Sequence, residues 1–302
     1  MIVPNLALKR KSPNCRALLM YLRHVSLILL TLLFFCLFSA CLDNKVFQPR
    51  YEFLAAYEHP PQFWLEYHPY PPAQSASSQP KVRAIPQNEG WTDLRMQREL
   101  KQFQAAGIST LLLHVSPEML AAEHFAERLQ KFHTFATELA PGLSIAPVLC
   151  PTSEGMRLSV QNTMQYVERL GFLQLPASLK LQGKPVLFFG GQIELIDDYK
   201  GARSYASLPA FLDDRQNRAD SVNIAEPLTS AQGNDLALRR YQGVFFARQL
   251  QLAYDHKARI IYLKSWNNYE AGNFLEPNSL DRELMLQVLE LAQNALPQAD
   301  ER

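Results

Sequence analysis

Short, almost wholly apolar runs alternating with amphipathic stretches constrain this chain more than any other feature. Residues 108–115, 143–149, 185–189 and 259–265 are apolar along strand-length segments. Between and around them, apolar residues recur at helical spacing. Met96, Leu100 and Phe103 do so over 93–106, and Phe125, Leu129, Phe132 and Phe135 over 117–139. Leu238, Tyr241, Phe245 and Leu252 continue the pattern over 235–256, as do Leu284, Val288 and Leu291 over 280–296. Strands that are apolar on both sides and separated by amphipathic helices predict an α/β fold with a parallel sheet covered on both faces. Residues 53–57 read as the first strand and 222–225 as a weaker one. Residues 60–90 hold seven prolines, which predicts a long irregular loop between the first strand and the first helix. Six strands are readable, with room for one or two more between Gln192 and Asp220. A (β/α)8 TIM-like barrel, of full or reduced size, fits best, and a doubly wound open sheet is the alternative. No strand is followed by a Gly-x-Gly-x-x-Gly or Gly-x-x-x-x-Gly-Lys loop, so the nucleotide-binding version of such a sheet has no motif.

The N-terminus reads as an address rather than as part of this fold. Residues 1–40 carry five basic residues and no acid, and end in an apolar run followed by small residues before Cys41. That order predicts a secretory signal over 1–40, with a run short for a membrane span of ~20 residues. Phe38-Ser39-Ala40-Cys41 resembles a bacterial lipobox, although Phe38 stands where Leu is usual. The resemblance implies cleavage before Cys41, lipidation of its thiol and a membrane-anchored lipoprotein. Leu42 after the cysteine points to the outer membrane, facing the periplasm. An uncleaved signal-anchor helix is the alternative. Residues 41–50 then read as a tether and 51–298 as the barrel domain.

Removing the leader leaves 25 Lys+Arg against all 29 Asp+Glu of the chain, a net charge of −4. A mildly acidic body argues against nucleic acid as a partner. Only Cys150 remains besides Cys41, so no internal disulfide can form; Cys150 reads as a buried thiol.

In a barrel, chemistry gathers where strands end and loops begin. The expected ends carry Tyr57, Glu58 and His59; His114; Glu226; and the cluster Trp266-Asn267-Asn268-Tyr269-Glu270. Aromatic faces that stack on sugar C–H patches, with amides and carboxylates that satisfy hydroxyls, suit an oligo- or polysaccharide. Glycoside cleavage further requires two carboxyl groups across the scissile bond. No His-x-His, His-Glu-x-x-His or paired cysteines occur, so no metal and no cofactor is expected. Each carboxylate also has a plainer reading as solvated surface, and His114 as a core residue.

The segment Ser265-Trp-Asn-Asn-Tyr-Glu-Ala-Gly-Asn-Phe-Leu-Glu-Pro277 resembles the motif of glycoside hydrolase family 99, the endo-α-mannosidases, and of the related WbsX-like group. Trp266, Asn267, Gly272, Leu275, Glu276 and Pro277 match, with Tyr269 an aromatic substitute. The resemblance implies a TIM barrel and a glycoside hydrolase acting on a bacterial surface or extracellular polysaccharide. The two positions that carry the family's catalytic glutamates hold Asn268 and Ala271, which cannot serve as acid or base. Glu270, paired with Glu58 or Glu226, is the expected catalytic substitute. Tyr57, His59, His114, Trp266, Asn267, Asn268, Tyr269 and Glu276 are the expected substrate contacts. A catalytically inactive glycan-binding barrel, or a structural or assembly lipoprotein, remains the alternative.

Overall fold

The structure is a computed structural model. It describes residues 53–55, 57–70, 84, 90–116, 119–120, 122–149, 168, 171, 174–190, 203–205, 208–225, 240–268 and 273–297. All belong to the compact unit Tyr51–Arg302. The leader, Cys41, the tether and Cys150 lie outside the described residues. Among those residues, no helix is long and apolar enough to cross a membrane.

Strands and helices alternate as the pattern predicts. Strands β1 (Gln62–Tyr67), β2 (Thr110–Val115), β3 (Ser144–Leu149), β5 (Lys184–Phe189), β6 (Arg203–Tyr205), β7 (Ala219–Asn223) and β8 (Ile260–Lys264) form a parallel sheet, and β4 (Lys180–Leu181) joins β5 antiparallel. The parallel order is β6-β5-β3-β2-β1-β8-β7, the order of a barrel. The ring is not closed: among the described residues no ladder joins β6 to β7. Between these two strands lies a short helix, α3 (Leu208–Asp213). The remaining helices are α1 (Asp93–Ala105), α2 (Phe125–Leu139), α4 (Val244–Asp255) and α5 (Leu284–Asn294).

Alternation along each strand divides the molecule into two apolar layers. Phe63, Leu65 and Tyr67 of β1, with Leu111, Leu113 and Val115 of β2, face the helices and meet Phe103, Phe132 and Leu289. Trp64, Leu112, Ala146, Val186, Phe188 and Tyr262 face inward. There α3 supplies Phe211, whose ring stacks on Trp64 at 5.4 Å, and Leu208 and Leu212 beside it. The short helix therefore plugs the interior on the side where the ring is open.

Local signals explain the helix ends. The Thr92 hydroxyl accepts from the Arg95 amide at the start of α1, and Asp93 sits favourably in its first turn. The helix stops at Gly107, with φ +60°, where a Cβ would stand 2.7 Å from the Gln293 amide that donates to Ala106 O. Helix α4 starts at Val244, and the left-handed backbone over Tyr241–Gly243 separates it from the helical Arg240, so the expected 235–256 run is interrupted. Its buried face is then Phe246, Leu250, Ala253 and Tyr254, and Leu252 is exposed.

The first strand corrects the sequence reading. Residues 53–57 contain no described strand; Phe53 and Tyr57 instead pack edge-on against Tyr254 of α4. The strand is Gln62–Tyr67, inside the proline-rich stretch. Pro60 and Pro61 precede it and Pro69 follows it, so no proline breaks its ladders. Its pairing with both β2 and β8 makes it central to the sheet.

Candidate functional site

Two cavities mark the two mouths of the barrel. The larger, about 730 Å³, lies at the strand starts and is lined by Gln62, Trp64, Ile260, Arg218, Lys257 and Arg259 among others. The smaller, about 480 Å³, lies at the strand ends, and Glu66, His114, Asp213, Tyr262, Lys264 and Asn268 line it. Size favours the first and chemistry the second. In parallel barrels the strand ends carry function and the strand starts carry stability.

At the floor of the strand-end cavity the inward positions of β1, β2 and β8 bring titratable groups together. Tyr262 OH donates to Glu66 Oε2 at 2.6 Å, and His68 Nε2 lies 2.8 Å from Glu66 Oε1. The His68 and His114 rings are 4.7 Å apart. Donor atoms of Glu66, His68 and His114 all lie within 4.8 Å of one another. Burial pushes the Glu66 carboxyl up, but His114, His68 and the Tyr262 hydroxyl outweigh it and hold it down at about 2. Burial, opposed by Glu66 and reinforced by His68, pushes His114 down to about 4. At neutral pH His114 is therefore uncharged and Glu66 ionised. Such a group accepts hydrogen bonds or holds a cation, and donates no proton.

The segment after β8 folds over this floor as a hairpin of β9 (Asn267–Asn268) and β10 (Asn273–Phe274). Asn267 is fully buried, and its amide exchanges two hydrogen bonds with the backbone of His68, at 3.1 and 2.8 Å. Asn273 Oδ1 accepts from the amides of Ile224 and Ala225, at 3.0 Å each, tying the hairpin to the end of β7. Asn268 alone of the two asparagines in β9 reaches the cavity.

These placements rearrange the expected site. His114 and Asn268 line the strand-end cavity as anticipated. Tyr57, Glu58 and His59 do not: because the true first strand begins at Gln62, they precede it and line the opposite mouth. Glu58 thus cannot pair with a group at the strand ends. Tyr57 also gives its hydroxyl to Ala253 O at 3.2 Å, and burial with nearby Asp220 pushes it up to about 12. Trp266 has no exposed face on which a sugar could stack. It lies behind the barrel against Phe103 of α1, 4.8 Å between ring centres, and its Nε1 donates to Glu99. Asn267 likewise positions His68 rather than meeting ligand, and Glu276 is buried, its amide bonded to Trp266 O. Tyr269, Glu270, Ala271 and Glu226 lie outside the described residues.

The sequence reading missed Glu66, His68, Tyr262 and Lys264. A signal existed in β1 and the residue after it, where Trp64, Glu66 and His68 alternate with Phe63, Leu65 and Tyr67 at strand period. The flanking prolines concealed it.

No known family profile matches the sequence, and neither does any curated protein. Solved structures do resemble the fold. The GH99 endo-alpha-mannosidase from Bacteroides thetaiotaomicron superposes with a TM-score of 0.53 at 12% identity, over 78% of this chain and 97% of that one. The same enzyme in complex with Bis-Tris-propane gives 0.52, with the same identity and coverage. At this identity the likeness shows the fold, and it agrees with the resemblance in residues 265–277.

Proposed function

We propose that this protein is a glycoside hydrolase-like lipoprotein, anchored through Cys41 at the outer membrane and facing the periplasm. Its ligand is a segment of bacterial surface or extracellular polysaccharide. The strand-end cavity receives the glycan. One observation carries the reading: a cavity of about 480 Å³, with an ionised carboxylate at its floor, sits at the strand-end mouth of a GH99-like barrel. Glu66, Asn268 and Lys264 offer acceptors and donors to hydroxyls, and fixed negative charge favours the positive character of a glycosidic transition state. Glu66 stays ionised, so the proton donor must be another group. Asp213 on the cavity wall, Glu226 and Glu270 are the candidates. The substitution of the family's two glutamates by Asn268 and Ala271 favours a second reading, in which the cavity binds glycan without cleaving it.

Screening the full chain in detergent against mannose-containing and capsular oligosaccharides separates the two. Hydrolysis abolished in Glu66→Gln and in a proton-donor variant supports the enzyme. Binding without turnover, weakened tenfold or more by Glu66→Gln, supports the binder. Neither binding nor turnover in the wild type would refute both readings. The anchor has its own test: Cys41→Ser should release the protein from membranes, and palmitate label retained on that variant would refute lipidation.

A further inference from the structure

The floor of the strand-end cavity has a composition that sugar recognition alone does not require. Two imidazoles and one carboxylate converge from neighbouring strands. Glu66 and His68 lie two residues apart on the inward side of β1 and its continuation, and His114 stands on the inward side of β2. Two histidines and one carboxylate are the donor set of three-ligand divalent metal sites, which leave further positions open to water or substrate.

We infer that Glu66, His68 and His114 form a site for a first-row divalent metal ion such as Zn²⁺, whose open coordination positions face the strand-end cavity. The ligand atoms lie within 4.8 Å of one another, and Glu66 Oε1 and His68 Nε2 are 2.8 Å apart. Metal–ligand bonds of about 2.0–2.2 Å place ligands ~3–3.5 Å apart, so rotations of the three side chains suffice to close on an ion.

Two further features suit the role. Tyr262 OH engages Glu66 Oε2, which fixes the carboxylate and leaves Oε1 directed at the two imidazoles. Asn267 clamps the backbone of His68 on both its amide and its carbonyl. Groups that orient ligands in this way are typical of the surroundings of bound metals. With the ion seated, Glu66 acts as a ligand, and the sugar hydroxyls or a water meet the metal instead. The inference rests on the geometry of the three side chains and does not need the glycan reading to be correct.

Chelator-treated full chain in detergent, titrated with Zn²⁺ and with Co²⁺ and with no sugar present, tests it. The expected result is one equivalent bound, with Co²⁺ giving visible absorption bands. Glu66→Gln and His68→Ala should each weaken binding ~100-fold or more, since loss of even an orienting group costs 10–100-fold. His256→Ala, at the exposed His256–Asp220 pair, should leave it unchanged. His68 is only partly buried, so His68→Ala tests the site even if His114→Ala fails to fold by circular dichroism. No uptake by the wild type, or uptake that persists in both Glu66→Gln and His68→Ala, would overturn the site. Either result leaves the glycan screen to be decided on its own.

Discussion

Glu66 and Glu99 are two buried carboxylates with similar partners, placed on opposite sides of one strand. Each accepts a tyrosine hydroxyl at 2.6 Å, from Tyr262 and Tyr67 respectively. Each also faces a basic side chain: His68 for Glu66, and Arg95 at 3.0 Å for Glu99. The difference lies in what surrounds them. Glu99 is sealed between the sheet and α1, where Arg95 is also tied to the carbonyls of Pro69 and Gly90, and Trp266 donates the last hydrogen bond. Glu66 opens onto a cavity. Adjacent residues of β1, Glu66 and Tyr67, therefore serve different ends only because successive side chains point to opposite faces. The outer cluster holds the chain together, and the inner one is available to a ligand.

The largest expected effects break the outer cluster. Glu99→Gln leaves the Arg95 charge buried without its carboxylate and should cost about 3–5 kcal/mol in urea unfolding. Trp266→Ala should cost a similar ~3–5 kcal/mol by opening a cavity beside Phe103. A loss of glycan binding by Trp266→Ala with unchanged stability would instead restore Trp266 as a ligand contact. Tyr67→Phe removes a hydrogen bond to a carboxylate and should cost about 1.5–3 kcal/mol. Its counterpart Tyr262→Phe should cost less stability, because cavity water can replace the hydroxyl, and should weaken ligand or metal binding. Equal losses of stability in the two variants would erase the distinction drawn between the clusters.

The acid response sharpens the same comparison with smaller effects. Burial holds His133, in the outer layer on α2, down at about 3, and His114, in the inner cluster, at about 4. Both values lie below the ordinary 6.5, so the unfolded chain binds protons there before the folded one does. Stability should be complete above pH 6.5 and fall as pH drops towards 4 and 3. Glu66, depressed from 4.5 to about 2, adds a further loss only below pH 4.5. Thermal unfolding of His133→Leu should show a shallower decline between pH 6.5 and 3. An unchanged slope would mean that burial of His133 is not its source.

Much of the frame was legible because apolar runs and helical stripes are strong, local signals. Strands β2, β3, β5 and β8 lie within one residue or two of the expected segments, and α1 differs from its expected end only by Ala106. β1 was not legible. Its flanking prolines imitate a loop, and Glu66 interrupts its apolar run because that position faces a cavity. The misplaced strand carried Tyr57, Glu58 and His59 to the wrong mouth. Trp266 and Asn267 were found as a motif but misread in role, since a sequence cannot say on which side of a sheet a residue points once its strand has ended. His114 was visible, but its partners sit on another strand, and no spacing rule within one segment joins them.

The central claim is that function resides at the strand-end mouth, around Glu66, and not at the larger strand-start mouth. Its most direct test is oligosaccharide binding by the full chain, compared between Glu66→Gln and Arg218→Ala, one substitution at each mouth, with each variant corrected for its folded fraction. The account predicts that Glu66→Gln weakens binding tenfold or more while Arg218→Ala binds as wild type. Loss of binding in Arg218→Ala, with Glu66→Gln unaffected, would contradict it.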